Sequence, residues 1–163
     1  MSVSKSTLKI GDKAPDFTLP TDGAGSVTLS ALKGQPVVLY FYPKDDTSGC
    51  TQEACDFRDN LSALKKLKAQ VIGVSKDSVK KHDKFKEKYE LNFPLASDED
   101  GAVCDQHGVW VEKSMYGRKY MGIERSTFLI GADGKIAQIW RKVSVTDHVQ
   151  EVMAALKPLA KAS

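Results

Sequence analysis

Three cysteines, Cys50, Cys55 and Cys104, are the residues whose type and placement best suit redox chemistry. An odd number of cysteines, in a chain whose opening residues read as no export signal, argues against a structural disulfide framework and leaves the thiols free to react. Cys50 follows the turn-forming stretch Pro43-Lys-Asp-Asp-Thr47-Ser-Gly49. It opens a segment whose apolar positions Ala54, Phe57, Leu61, Leu64 and Leu67 recur every three or four residues, the pattern of an amphipathic helix. The first turn of a helix carries unpaired amides and the positive end of the dipole, so it favours a thiolate. Moving a thiol from about 8.5 to about 6 takes roughly 3.4 kcal/mol, more than a helix end usually supplies, so a nearby cation is needed.

Cys55 comes five positions after Cys50. At helical geometry the two side chains diverge by about 140° and their α-carbons lie roughly 8.6 Å apart. A disulfide tolerates no more than about 7 Å, so the pair bonds only if the first turns unwind. Cys50 aligns with Ala54, Phe57 and Leu61 on the protected face, Cys55 with Arg58, Asp59 and Ser62 on the wetter one. A disulfide exchanger acting on protein partners is the alternative enzyme, but it would normally carry Cys-x-x-Cys. Cys50, Cys55, Cys104 and His107 together have the donor types of a structural zinc in an interaction module, against which the opposed directions of Cys50 and Cys55 count. The acidic run at 97–101 lacks the spacing of a calcium loop and reads as a helix entry or turn.

Around these residues the chain reads as alternating strands and helices. Residues 37–42, Val-Val-Leu-Tyr-Phe-Tyr, form a continuous apolar run suited to a central strand, and 71–75 and 127–130 look the same. Helices are expected over 50–69, over 78–90 with Val79, Phe85 and Tyr89 inward, over 99–107 ending at Gly108, and from Thr146 or Asp147, either of which can cap the last one. Pro158 should disturb that final helix. Residues 127–140 read as a hairpin through Asp133-Gly134, and the stretch to Leu32 as an added N-terminal hairpin. The order implies an α/β sandwich with a mixed sheet, the thioredoxin-like arrangement, in one domain spanning 1–163.

Composition sets the remaining bounds. The chain has 163 residues, 41% hydrophobic and 28% charged, with 12 Gly and 6 Pro, enough for a core that needs no metal or bridge. A net charge of +3 is too small to imply nucleic acid or a membrane surface as the main partner. Without an apolar run of about 18 residues the expected location is the cytoplasm.

The stretch from Pro43 to Cys50 resembles the peroxiredoxin signature Pro-x-x-x-Thr-x-x-Cys, through Pro43, Thr47 and Cys50. It is similar in particular to the peroxiredoxin Q, or bacterioferritin comigratory protein, group, in which a second cysteine stands five residues on, as Cys55 does. The resemblance extends through Gly11-Asp-Lys-Ala-Pro-Asp-Phe17, Tyr40-Phe-Tyr-Pro-Lys44, Leu95-Ala-Ser-Asp-Glu-Asp-Gly101 and Arg125-Ser-Thr-Phe-Leu-Ile130. It implies a thiol-dependent peroxidase of antioxidant defence, with Cys50 as peroxidatic nucleophile and Cys55 as resolving cysteine. Arg125 would be the cation facing the thiolate, Thr47 would hold a peroxide oxygen, and Pro43 would shield the sulfur. Hydrogen peroxide or organic hydroperoxides would be the substrates. Thioredoxin would recycle the Cys50–Cys55 disulfide, with glutaredoxin or glutathione as alternatives. No cofactor or metal is implied, and the expected state is a monomer. Glu53 is well placed for the helix dipole. Cys104 reads as core, and Trp110, Tyr116 and Tyr120 as ordinary packing in preference to a pocket rim.

Overall fold

The apolar run at 37–42 becomes the middle of a sheet. The computed structural model describes residues 8–162, so residues 1–7 of the opening stretch lie outside it. A hairpin of β1 (Thr18–Thr21) and β2 (Gly25–Thr28) precedes β3 (Val37–Phe41). Next come α1 (Ser48–Lys66), β4 (Gln70–Ser75), α2 (Val79–Tyr89), β5 (Leu95–Ser97) and α3 (Ala102–Gln106). A ribbon of β6 (Trp110–Met115) and β7 (Arg118–Ile123) follows, then β8 (Ser126–Ile130), β9 (Ile136–Trp140) and α4 (His148–Ala162).

Seven strands form a mixed sheet in the order β2-β1-β5-β4-β3-β8-β9. β3 runs parallel to β4 and antiparallel to β8. Side chains alternate across a strand, so Val37, Leu39 and Phe41 enter one core layer and Val38 and Tyr40 the other. The second layer is completed by Phe57, Leu61 and Leu64 of α1, Phe85 of α2 and Val149, Val152 and Leu156 of α4. The first holds Val103 and Cys104 of α3, with Phe17 and Leu29 from the N-terminal segment. This is the thioredoxin-like α/β sandwich.

Several boundaries differ from the sequence reading. The first helix starts two residues before Cys50 and ends at Lys66, with Lys68 at φ 63° closing it. The helix expected over 99–107 shrinks to Ala102–Gln106, because Gly101 precedes it at φ 81° and the Asp98 carboxylate accepts from the Val103 and Cys104 amides. Asp147 sits at φ 61°, outside the extended conformation of a capping residue, and α4 begins at His148. Pro158 does not end α4, which continues to Ala162. The bond it forgoes would have gone to Ala154, an exposed residue, while Val149, Val152 and Leu156 hold the helix on the sheet. The N-terminal hairpin is part of the main sheet, since Thr21 pairs with Ala96.

Candidate active site

The loop from β3 to α1 places Cys50 third in the helix, where its amide has no intrahelical acceptor. Thr47 occupies the capping position at φ −90°, yet makes no capping bond. Its hydroxyl instead donates to the Lys44 carbonyl at 2.9 Å. With that proton engaged, the oxygen's remaining capacity is to accept. The amides of the first turn therefore stay uncapped beside the Cys50 sulfur. Cys50 is 1% exposed and packs with Ala54, Phe57 and Leu61, whereas Cys55 is half-buried. The protected and wetter faces of α1 thus fall where the spacing put them.

Arg125 lies in the two-residue link between β7 and β8. The pairing of Phe41 with Ser126 sets that link beside the strand end that feeds the Cys50 loop, and the Arg125 carbonyl is fixed by the Val143 amide at 3.0 Å. Its Nη2 donates to Cys50 Sγ at 3.3 Å and its Nη1 to Glu53 Oε1 at 2.6 Å. Gly49 makes room for this approach: a Cβ there would stand 3.0 Å from Arg125 Nη2.

Glu53 is fully buried, and its second oxygen has no partner among the described residues. Burial pushes its carboxyl up to about 7 against the opposing pull of Arg125. Burial works against the Arg125 charge too, but Glu53 and Cys50 outweigh it, and the guanidinium is held above its ordinary range. Burial raises the Cys55 thiol, with Arg58 pulling the other way. Lys113 of β6 is half-buried; burial and then Arg125 lower its ammonium, while Cys50 supports it.

Cys50 and Arg125 are thus brought together, with Thr47 exposed at the cap three residues before Cys50, Pro43 at the head of the loop and Cys55 on the same helix. Cys104 is in the opposite core layer from Cys50, which removes the four-residue zinc set. Sequence reasoning set a dipole role above a catalytic one for Glu53, passed over Lys113, and took Tyr116 and Tyr120 as packed, whereas both are exposed at the ribbon. The signal for Glu53 was its position three after Cys50, which puts both on one side of the helix. Nothing in the sequence marked Lys113, which stands on a ribbon with no apolar run.

A helix-opening cysteine facing an arginine is the arrangement the signature residues implied, and the model of the AhpC/TSA family matches residues 10–139. The chain belongs to that family. It is similar to Peroxiredoxin Bcp of Bacillus subtilis (strain 168), 51% identical over 155 residues, which cover 95% of this chain and 99% of the relative. Among solved structures, a peroxiredoxin Q mutant from Xylella fastidiosa superposes with a TM-score of 0.90 at 43% identity, over 98% of this chain and 100% of the other. A bacterioferritin comigratory protein of Xanthomonas campestris, described for its alkyl peroxide reduction activity, superposes at 0.86 with 46% identity, over 96% and 99% of the two chains. This peroxiredoxin is of the Bcp or peroxiredoxin Q kind, and it is a thiol-dependent peroxidase that draws on a thiol reductant. No helix among its described residues is long and apolar enough to cross a membrane.

Proposed function

We propose that the Cys50 thiolate attacks one oxygen of a hydroperoxide. The O–O bond breaks, the sulfur becomes a sulfenic acid, and the other oxygen leaves with a proton from solvent as water or an alcohol. The bond from Arg125 Nη2 to Cys50 Sγ, 3.3 Å long, is the observation that carries this reading, because a sulfur accepts such a bond best as an anion. Thr47, its own proton spent on Lys44, accepts from the peroxide hydroxyl. The Gly49 and Cys50 amides face the oxygen on which charge builds. Pro43 screens the sulfur, and Glu53 holds the guanidinium in place.

Cys55 then condenses with the sulfenic acid, releasing water and forming the Cys50–Cys55 disulfide after the first turns of α1 unwind. Burial raises the Cys55 thiol in the intact helix, so unwinding relieves that burial as it brings the sulfur within reach. A dithiol protein, thioredoxin, returns both sulfurs to thiols. The substrates are hydrogen peroxide and alkyl hydroperoxides, in line with the activity named for the Xanthomonas relative. The chain works as one domain and as a monomer in the cytoplasm.

The test is rapid-mixing peroxide consumption with mass analysis of the sulfur products. Cys50→Ser should abolish it. Cys55→Ser should consume one equivalent and then stall with thioredoxin present, and Cys104→Ser should behave as the parent. Full recycling by Cys55→Ser overturns the resolving role, and peroxide consumption by Cys50→Ser overturns the nucleophile. Insulin reduction outpacing peroxide consumption would instead favour the disulfide exchanger.

A further inference from the structure

A buried polar cluster lies behind the 43–47 turn, outside the machinery described so far. His82 of α2 is fully buried. Its Nδ1 lies 2.6 Å from Asp45 Oδ2 and its Nε2 3.0 Å from the Ala96 carbonyl. Each ring nitrogen thus has its own partner, and the imidazole is a two-ended clamp between the loop and β5. The other Asp45 oxygen takes the Tyr42 hydroxyl at 2.5 Å, and the Asp45 amide donates to Asp77 Oδ2 at 2.8 Å. Asp77 is in turn tied to Ser75 and Ser97 at the ends of β4 and β5. Next door, Asp46 holds a left-handed backbone at φ 61° and accepts from Lys88 Nζ at 2.9 Å and Tyr89 Oη at 2.7 Å, again residues of α2.

None of these partners of Asp45 and Asp46 lies on α1. The start of α1 is held differently: Cys50 and Glu53 share the single side chain of Arg125. Further along, Phe57 stacks on Tyr40 with ring centroids 4.8 Å apart, and Arg58 Nη1 donates to the Tyr89 carbonyl at 2.6 Å. The short stretch between Thr47 and Phe57 is therefore slung between two points that α2 and the sheet fix independently.

We infer that α2, through the His82–Asp45 clamp and the Asp46 contacts, is the frame that positions the peroxide-binding turn, and that it confines redox unwinding to the residues between Thr47 and Phe57. His82 acts as a positioning residue. By fixing Asp45 it fixes the Lys44 carbonyl, which sets the Thr47 hydroxyl beside Cys50. The turn keeps its shape while the helix start melts, ready for the helix to rewind on reduction. This inference rests on Cys50 as nucleophile and Thr47 as peroxide acceptor.

The experiment separates the peroxide step from reactions that do not need Thr47. In the full chain, three rates are measured: oxidation of Cys50 by hydrogen peroxide, alkylation of reduced Cys50 by iodoacetamide, and disulfide closure after oxidation. His82→Gln should lower the peroxide rate by at least about tenfold, since small misplacements of a positioning group cost that much, while alkylation and closure stay within about twofold. Asp45→Asn, which keeps two polar atoms for Tyr42 and His82, should recover the peroxide rate to within about threefold, and Asp45→Ala should not. Asp46→Gly, which permits the same backbone but removes both contacts to α2, should cost about threefold. A folded His82→Gln protein with a peroxide rate within about twofold of the parent overturns the inference, as does a parallel fall in all three rates. Where His82→Gln and Asp45→Ala fail to fold, an unchanged peroxide rate in Asp46→Gly overturns it. Peroxide consumption by Cys50→Ser would instead defeat the underlying reading and leave the three-rate pattern without a subject.

Discussion

Two cysteines of this chain occupy nearly the same local setting. Cys50 and Cys104 each stand third in a helix, and each is buried, at 1% and 0% exposure. What faces them differs. Cys50 receives a guanidinium from Arg125. The Cys104 amide donates to the Asp98 carboxylate at 2.7 Å, and the Cys104 thiol is pushed far up by burial and, next, by that same carboxylate. A helix start and a dry environment are common to both, so neither makes a sulfur reactive. The sign of the charge that the tertiary fold delivers separates them. α1 is also 19 residues long against 5 for α3, so it has a body that stays packed while its first turns open.

The sharpest way to break this comparison is to remove the cation. Arg125→Ala should lower the rate of Cys50 oxidation by about 10²- to 10³-fold, the usual cost of deleting one pre-set donor at a reacting centre. The fold should survive, because the link's backbone remains tied through Val143. Rapid mixing with hydrogen peroxide measures it. A loss of less than about threefold would mean that the helix start suffices and that Cys50 and Cys104 differ for another reason. Arg125→Lys should recover little, since an ammonium cannot serve Cys50 and Glu53 at once in a fixed fork.

Half of that comparison is legible in the sequence. The spacing of Ala54, Phe57, Leu61 and Leu64 puts Cys50 inward and Cys55 outward, and those residues are buried as the period requires. β3, β4 and β8 are legible for a similar reason: strands covered on both faces read as unbroken apolar runs. β6 and β7 do not, because most of their residues are exposed or half-buried and no apolar run marks them. β5 has only three residues and borrows its order from β4. The charges are least legible of all. Glu53 is buried because Arg125 reaches it from 72 positions away, and His82 is buried in a lysine-rich helix because Asp45 meets it from 37 positions away. Helical spacing sets each on the inner side of its helix, Glu53 with Cys50 and His82 between Val79 and Phe85, but only the closed fold supplies the partner that lets a polar group stay there.

Glu53 offers a second test, through pH. Its carboxyl moves from an ordinary 4.5 to about 7 in the folded protein. A group raised on folding stabilises fully below its unfolded value, and that contribution is lost as the pH climbs through the folded one. Between pH 4.5 and 7, Glu53 should therefore erode stability by up to about 3 kcal/mol, as Arg125 repays only part of the burial cost. Glu53→Gln removes the titration, so denaturant midpoints measured across that window should be flatter in the variant than in the parent. Identical slopes would show that the buried carboxylate does not titrate there. Because glutamine keeps an oxygen for Arg125, peroxide oxidation of Cys50 should stay within about tenfold, well short of the Arg125→Ala loss.

The smallest expected effect is at the other cysteine. Asp98→Asn keeps one acceptor for the α3 amides but removes the negative charge beside Cys104. Loss of a charged cap should cost about 1 kcal/mol in unfolding free energy. Burial is the larger cause of the raised Cys104 thiol and Asp98 the second, so neutralising Asp98 should quicken native-state alkylation of Cys104 only a few-fold, with burial still dominant. Alkylation of Cys104 approaching the rate of Cys50 would show that removing a carboxylate is enough. The arginine would then be a refinement at Cys50 and no longer the feature that sets it apart.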